Sequence, residues 1–374
     1  MKKFLALTMV VALVLTSLVG CTTATTSSSE PAAEAKADDA APAEEAKAEK
    51  KVKKQEDLFV GILFDSLTVE SRVRQRDAFV AYAEELGIDL VFQDAALSEK
   101  TQMEQAENLL SQGVDAICIL AHNADAMKPL SDMCKKDNCL FVCTDRVIEG
   151  VSMDYFIGLD NDAVGFQQAE FCLEHAPKGN YVLLCGASTD PNAIQWKGIW
   201  DEMLAPSVEK GDINIVFEEY TENWDATIAA TNLENALTMC DDDCACVMAM
   251  ADCLANGAIQ ALKQRGLDGK VVMTGLDGET GAYQRIAEGT QSMTLQIDDE
   301  TVAKRILDVI VADQTGGDVD QFLTGTFNNG YGEIPAAIIP YIQVNSDNIL
   351  EMIDRGFADY ETTYENVPAD KRPR

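Results

Sequence analysis

From Leu58 onward the chain alternates short apolar runs with longer amphipathic stretches. LFVGILF (58–64) precedes a helical stretch over about 70–86, and IDLVFQ (88–93) precedes another over about 99–112. DAICILA (115–121), a helix near 124–136, CLFVCTD (139–145) and DYFIGLD (154–160) complete a first series. The pattern then restarts. A helix near 162–175 leads to NYVLLCG (180–186), a helix over about 192–209, INIVFEE (213–219) and a helix at about 225–239. CACVMAM (244–250), a helix at 253–265, KVVMTG (270–275), a helix at 279–288 and SMTLQI (292–297) close it. Short strands alternating with longer helices argue for βαβ units on parallel sheets. The expected fold class is therefore α/β, with two doubly wound parallel-sheet lobes; one large sheet is the alternative. Open sheets of this kind bind ligands beyond the carboxyl ends of their strands. That rule picks out Asp65-Ser66, Asn123, Asp145-Arg146, Ser188 to Asn192, Ala251-Asp252 and Asp277-Gly278-Glu279.

The first residues read as an address. Lys2-Lys3, an apolar stretch from Phe4 to Leu18 and Leu18-Val19-Gly20-Cys21 form a secretory signal peptide. Its last four residues look like a bacterial lipoprotein box, which implies cleavage before Cys21 and lipidation of that thiol. Residues 22–56 carry no aromatic side chain and a single Val, too little apolar surface to offset ordering entropy, so they are expected to be a tether. No later segment has 18 uninterrupted apolar residues. Residues 57–374 hold 55 acidic against 21 basic side chains, a net of −34, so the acidity belongs to the folded part. Such a body repels phosphate backbones and excludes nucleic acid as a partner.

Catalytic and cofactor chemistry find little support. No glycine-rich phosphate loop follows a strand, and no GxSxG or HExxH spacing occurs. The two histidines are His122, after a strand and a candidate ligand contact, and His175, at a helix end and read as a cap. CDDDCAC (240–246) lacks the paired CxxC repeats of structural zinc, so no metal and no cofactor are expected. Cys118, Cys143, Cys185 and Cys246 fall inside strands as small buried apolar residues. Cys134 with Cys139, and Cys240 with Cys244, flank short connections and read either as disulfides stapling turns or as free thiols.

Several blocks carry a likeness: CTDRVI (143–148), GLDNDAVG (158–165), GNYVLLCG (179–186), NGAIQALKQRGLDGKVVMTGLDGE (256–279), IAEGTQSMT (286–294) and FNNGYGEIP (327–335). In order and spacing they resemble the D-xylose-binding branch of the type I periplasmic sugar-binding proteins of ABC importers, relatives of the ribose binders. The resemblance covers nearly all of residues 57–350. It implies a Venus-flytrap fold with a three-segment hinge, crossing near 158–160, 296 and 328–331, and a sugar closed between the lobes. It also implies roles. Asp145-Arg146 matches a carboxylate and guanidinium pair that brackets sugar hydroxyls, with a mutual salt bridge as the structural alternative. Asp277 matches a second-lobe aspartate. Trp224 in ENWDA matches an aromatic plate stacked on the ring, with a core role as the alternative. Asn192 and Asn123 match polar ligand residues. Departures occur at Thr68 and Arg72 in the first loop, at Ala251 beside Asp252, and at Ile297 beside Gln296. Lost hydrogen-bonding groups reject an old ligand strongly, so xylose itself is disfavoured while a monosaccharide stays the expected class.

The expected division is a leader at 1–20, a lipidated Cys21 and tether to 56, a first lobe of 57–159 plus 297–328, and a second lobe of 160–296 plus 329–374. The expected ligand set is Asp65, Arg72, Asn123, Asp145, Arg146, Asn192, Trp224, Asp252, Asp277 and Gln296. The expected function is a lipid-anchored, extracytoplasmic, monomeric solute-binding protein. It captures a pentose or related monosaccharide and delivers it to an ABC permease, without enzymatic activity. The alternative is a sugar sensor that presents its closed form to a membrane receptor or histidine kinase.

Overall fold

The computed structural model describes residues 52–373, so the leader, Cys21 and most of the tether lie outside the described residues. The tether's last residues are already part of the first lobe. The Lys53 amide donates to the Gln314 carbonyl at 2.9 Å, its ammonium pairs with the buried Asp115 carboxylate, and the Gln55 side chain donates to the Leu86 carbonyl at 2.6 Å. The expected boundary at 56 therefore moves back: a buried carboxylate needs a cation, and this segment supplies it.

The first lobe runs β1 (Phe59–Phe64), α1 (Glu70–Leu86), β2 (Asp89–Asp94), α2 (Glu99–Ser111), β3 (Ala116–Ile119), α3 (Pro129–Asp137), β4 (Leu140–Thr144) and β5 (Tyr155–Leu159). The second runs α4 (Asn161–His175), β6 (Gly179–Cys185), α5 (Pro191–Glu209), β7 (Ile213–Tyr220), α6 (Ala226–Met239), β8 (Cys246–Ala249), α7 (Asp252–Arg265), β9 (Val272–Met273), α8 (Thr280–Glu288) and β10 (Met293–Gln296). The chain then returns through α9 (Asp299–Thr315), β11 (Gly325–Asn328) and β12 (Glu333–Ile339). It ends in β13 (Ile342–Asn345), α10 (Ile349–Asp354) and α11 (Tyr360–Thr363).

Seven strands form the first sheet in the order β11-β12-β5-β4-β3-β1-β2, parallel except for the β11–β12 hairpin. Four parallel strands, β7-β6-β8-β9, form the second. The antiparallel pair β10-β13 lies beside it, linked by a bridge between Asp277 and Gln296. Both central strands are apolar because helices cover both faces of a parallel sheet: β1 is buried except at Phe59, and β6 is buried from Tyr181 to Cys185. Aspartates cap the helices that follow strand ends. Asp160, Asp190, Asp225 and Asp298 accept first-turn N–H groups of α4, α5, α6 and α9.

The α/β class and the two-sheet division hold, and three local expectations change. The helix expected from 124 begins at Pro129, since proline's fixed φ suits a first helical position while the preceding residues form turns. The expected assignment of 329–339 to the second lobe is corrected. Asn329 is buried against the first lobe, its amide donating to the Ile148 and Val151 carbonyls at 3.2 and 2.8 Å, so the turn folds back and β12 pairs with β5. The third passage between the sheets thus falls at Pro340-Tyr341 instead of 328–331. All ten cysteines among the described residues are thiols, including both candidate disulfide pairs. Cys118, Cys143, Cys185 and Cys246 are buried in β3, β4, β6 and β8.

Candidate functional site

Where the strand ends of the two sheets face each other lies a cleft lined by residues of both sheets. Of the expected residues, Asp65, Arg72, Asp145, Arg146, Asn192, Trp224 and Asp277 line it.

Asp65 ends β1 and Asp145-Arg146 ends β4, the two edges the strand-end rule selects. Arg146 is the central cation. Its Nη1 donates to Asp65 Oδ2 at 2.5 Å and to the Ala121 carbonyl at 3.0 Å, and its Nε donates across the cleft to Asp190 Oδ2 at 2.5 Å. Arg72, buried on α1, donates to Asp145 Oδ2 at 2.5 Å. From the second lobe Asn192 Nδ2 donates to Asp145 Oδ1 at 2.9 Å, while its oxygen accepts from Asn161 at 3.0 Å. Burial alone would push both guanidinium groups down, yet the facing carboxylates hold them above their usual values: Asp145 and Asp65 for Arg72, Asp190 and Asp65 for Arg146.

Besides Asp190 and Asn192, the second lobe contributes aromatic plates and a further carboxylate, Asp277. Trp196 and Trp224 meet edge to face with ring centroids 6.2 Å apart, and both indole N–H groups are buried with no partner among the described residues. Trp224 lies close over Gly186, where an added Cβ would come within 2.1 Å of the ring. Asp277, only 8% exposed, makes no hydrogen bond or ion pair through its carboxylate among the described residues. Burial pushes that carboxyl well above the usual range, and Arg72 only partly opposes the shift. Backbone strain collects here. Asp145, Asn223, Trp224 and Asp277 have φ of 60°, 54°, 57° and 104°, in the left-handed region side chains avoid.

Two further contacts clamp the lobes outside the cleft. Glu70 on α1 accepts from the Thr280 amide at 2.9 Å and from its hydroxyl at 2.5 Å, at the start of α8. Arg74 donates to the Asp277 carbonyl at 2.8 Å and pairs with Asp299 at 2.7 Å.

Three expected residues stand elsewhere. Asn123 turns outward and donates to Glu99 at 2.8 Å. Asp252 lies fully buried behind the wall. There it accepts from the Glu279 amide at 3.0 Å and from Gln291 and Thr294, both at 2.8 Å, holding the loop that carries Asp277. Burial and the nearby Glu279 carboxylate push it up to about 7. Gln296 is spent inside the hinge, accepting from Tyr283 at 3.0 Å and donating to the Ile297 carbonyl at 2.5 Å. His122 lines a small adjoining recess with Asp65, Arg146 and Trp224. His175 stacks on Phe171 at the end of α4, with its Nδ1 2.9 Å from the Phe171 carbonyl.

The expected ligand set leaves out several lining residues, Asp190 among them although it falls in the Ser188 to Asn192 stretch that the strand-end rule picks out. Asp190 is at once the cap of α5 and the second partner of Arg146, and its place before Pro191 was the available signal. Tyr341, at the third lobe crossing, presents its phenol to the cleft near Asp145 and Asp277; nothing in its local pattern marks it. Leu97, Cys253 and Leu276 complete the apolar wall, together with Ala251 and Ile297, which the sequence marked as departures.

The periplasmic binding protein domain family matches residues 60–318. The D-xylose-binding periplasmic protein of Escherichia coli K12 is 33% identical over 294 residues, covering 79% of this chain and 88% of that protein. Its Haemophilus influenzae counterpart is 32% identical over 309 residues, covering 82% and 92%. Among solved structures, a glucose-bound ABC transporter solute-binding protein from Clostridium phytofermentans superposes with a TM-score of 0.74 at 22% identity, covering 82% of this chain and 99% of that one. A carbohydrate transporter solute-binding protein from Chloroflexus aurantiacus, in complex with D-glucose, gives 0.74 at 24%, covering 82% and 98%. The two-sheet architecture, the cleft between its strand ends and these matches carry one conclusion: the chain belongs to the type I periplasmic binding proteins of the ribose-binding superfamily, with D-xylose-binding proteins among its relatives.

Proposed function

We propose that the protein captures a monosaccharide between its lobes outside the cytoplasmic membrane and delivers it to an ABC permease, held as a monomer to the membrane by a lipid on Cys21. One observation carries the reading: carboxylates, guanidinium groups, an amide and an indole plate converge on one cleft between two lobes. Planar hydrogen-bonding groups suit vicinal hydroxyls, and indole faces suit the C–H faces of a sugar ring. The relatives named for sugars support the class. The apolar Ala251 and Ile297 in the wall argue against D-xylose as the ligand. Three chain crossings make closure a hinge motion, and a sugar touching both lobes shifts the equilibrium toward the closed form. No step in this reading breaks a covalent bond, so the protein acts as a carrier.

A thermal-shift screen against pentoses, hexoses, deoxy sugars and polyols tests it. A ligand at 100 times its Kd adds about 2.7 kcal/mol of stability. Silence across the panel would assign the cleft to a different ligand class.

A further inference from the structure

Deepening the sugar-site reading and resting on it, we propose that the ligand is a monosaccharide-sized polyol bearing a protonated amine, with Asp277 as the counter-ion. The cleft's charges do not balance. Four carboxylates, from Asp65, Asp145, Asp190 and Asp277, face two guanidinium groups, Arg72 and Arg146. Arg146 is taken by Asp65 and Asp190, and Arg72 by Asp145. Asp277 is the carboxylate left over.

Its neighbours leave it without a bonded partner: Arg72, the main cation acting on it, is bound to Asp145, and the nearby Tyr341 phenol makes no hydrogen bond to it among the described residues. Leu276, Ala251 and Ile297 line the cleft around it without side-chain donors. Gln296, bridged to Asp277 through the backbone, has both ends of its amide engaged. Arg74 reaches only the backbone carbonyl of Asp277 and spends its other donors on Asp299 and Glu70. A buried lone carboxylate is costly unless a cation meets it. A sugar hydroxyl supplies a hydrogen bond without charge, whereas an ammonium supplies both. The indole of Trp224 and the phenol of Tyr341, on the same cleft, add aromatic faces that attract cations. The electrostatics agree: burial, with the nearby carboxylates, holds the Asp277 carboxyl well above the usual range although Arg72 opposes the shift.

The test is titration calorimetry at neutral pH with D-glucosamine, D-galactosamine and an amino-inositol beside D-glucose, D-galactose and myo-inositol. At least one amine is expected to bind about 30-fold or more tightly than its neutral parent, the usual scale for a buried charge pair. Asp277→Asn is expected to erase that preference, so that the amine binds no more tightly than its neutral parent. Ile297→Lys, which sets an ammonium in the wall beside Asp277, is expected to erase it too and keeps the test open if the first variant misfolds. Neutral sugars binding as tightly as their amines, or a preference that survives both substitutions, would overturn the inference and leave the sugar site intact. Absence of binding by every member of both sets would instead overturn the sugar reading beneath it.

Discussion

In the first lobe, Asp65, Asp145, Arg72 and Arg146 engage one another in short ion pairs, so that wall is largely satisfied before any ligand arrives. Across the cleft the second lobe presents an unpaired carboxylate at Asp277, two unpartnered indole N–H groups and an apolar surface around Ala251, Cys253 and Leu276. The difference assigns roles. A lattice of buried, mutually paired charges fixes geometry at little net gain in stability. Open valences on the facing wall are where a ligand finds new partners. Among the described residues, Arg146–Asp190 and Asp145–Asn192 are the side-chain hydrogen bonds that join the walls inside the cleft, so charge geometry set in one lobe registers the other.

Breaking the satisfied wall should cost most. Arg146→Ala leaves Asp65 and Asp190 buried without a cation, and the expected loss is about 3–5 kcal/mol of stability together with ligand-induced stabilisation. Chemical denaturation with and without sugar checks it; a variant as stable and as responsive as wild type would remove Arg146 from the centre of the account.

The second wall should reveal itself through pH. Asp252, behind Asp277, titrates at about 7 in the folded protein, above its unfolded value, and burial also raises Glu279 and Asp277. The native state therefore holds protons that the unfolded chain releases, and stability is greater on the acid side and falls as pH rises through about 7. Moving from pH 6 to pH 8 should cost about 1.4 kcal/mol from Asp252 alone, seen as a lower Tm. Glu279→Gln should shrink that dependence.

Smaller effects separate clamp from cleft. Thr280→Ala removes a hydroxyl contact to Glu70 between the lobes, and the expected cost is about 1 kcal/mol, read as an affinity loss of about five-fold with ligand selectivity unchanged. Asn123→Ala should change affinity by less than about 0.5 kcal/mol, because its amide serves Glu99 on the outer surface.

The contrast between the walls also explains what the sequence could disclose. The strands were legible because both faces of a parallel sheet are covered, so β1, β6 and β8 read as unbroken apolar runs. The return segment was not. The β11–β12 hairpin looked like a lobe crossing because its attachment depends on Asn329 reaching the Ile148 and Val151 carbonyls, a contact some 180 residues distant in sequence. In the site, the strand-end rule located Asp65, Asp145, Arg146 and Asp277 but gave no direction to a side chain. Asp252 follows β8 as Asp277 follows β9, yet it turns back to hold the loop amides. Asp190 falls in the Ser188 to Asn192 stretch that the rule picks out, but that its carboxylate both caps α5 and reaches Arg146 depends on the fold. Positive φ at Asp145, Trp224 and Asp277 is likewise unreadable where the residue is not glycine.

All three tryptophans lie on α5 or beside it, with Trp196 and Trp224 on the cleft and Trp200 fully buried, so indole emission reports on the site directly. A fluorescence titration with the sugar that raises Tm most should give a saturable change whose Kd equals that from calorimetry. Trp224→Phe should abolish most of that change. A sugar that stabilises the protein while leaving the emission untouched would place its binding outside the cleft and contradict the account.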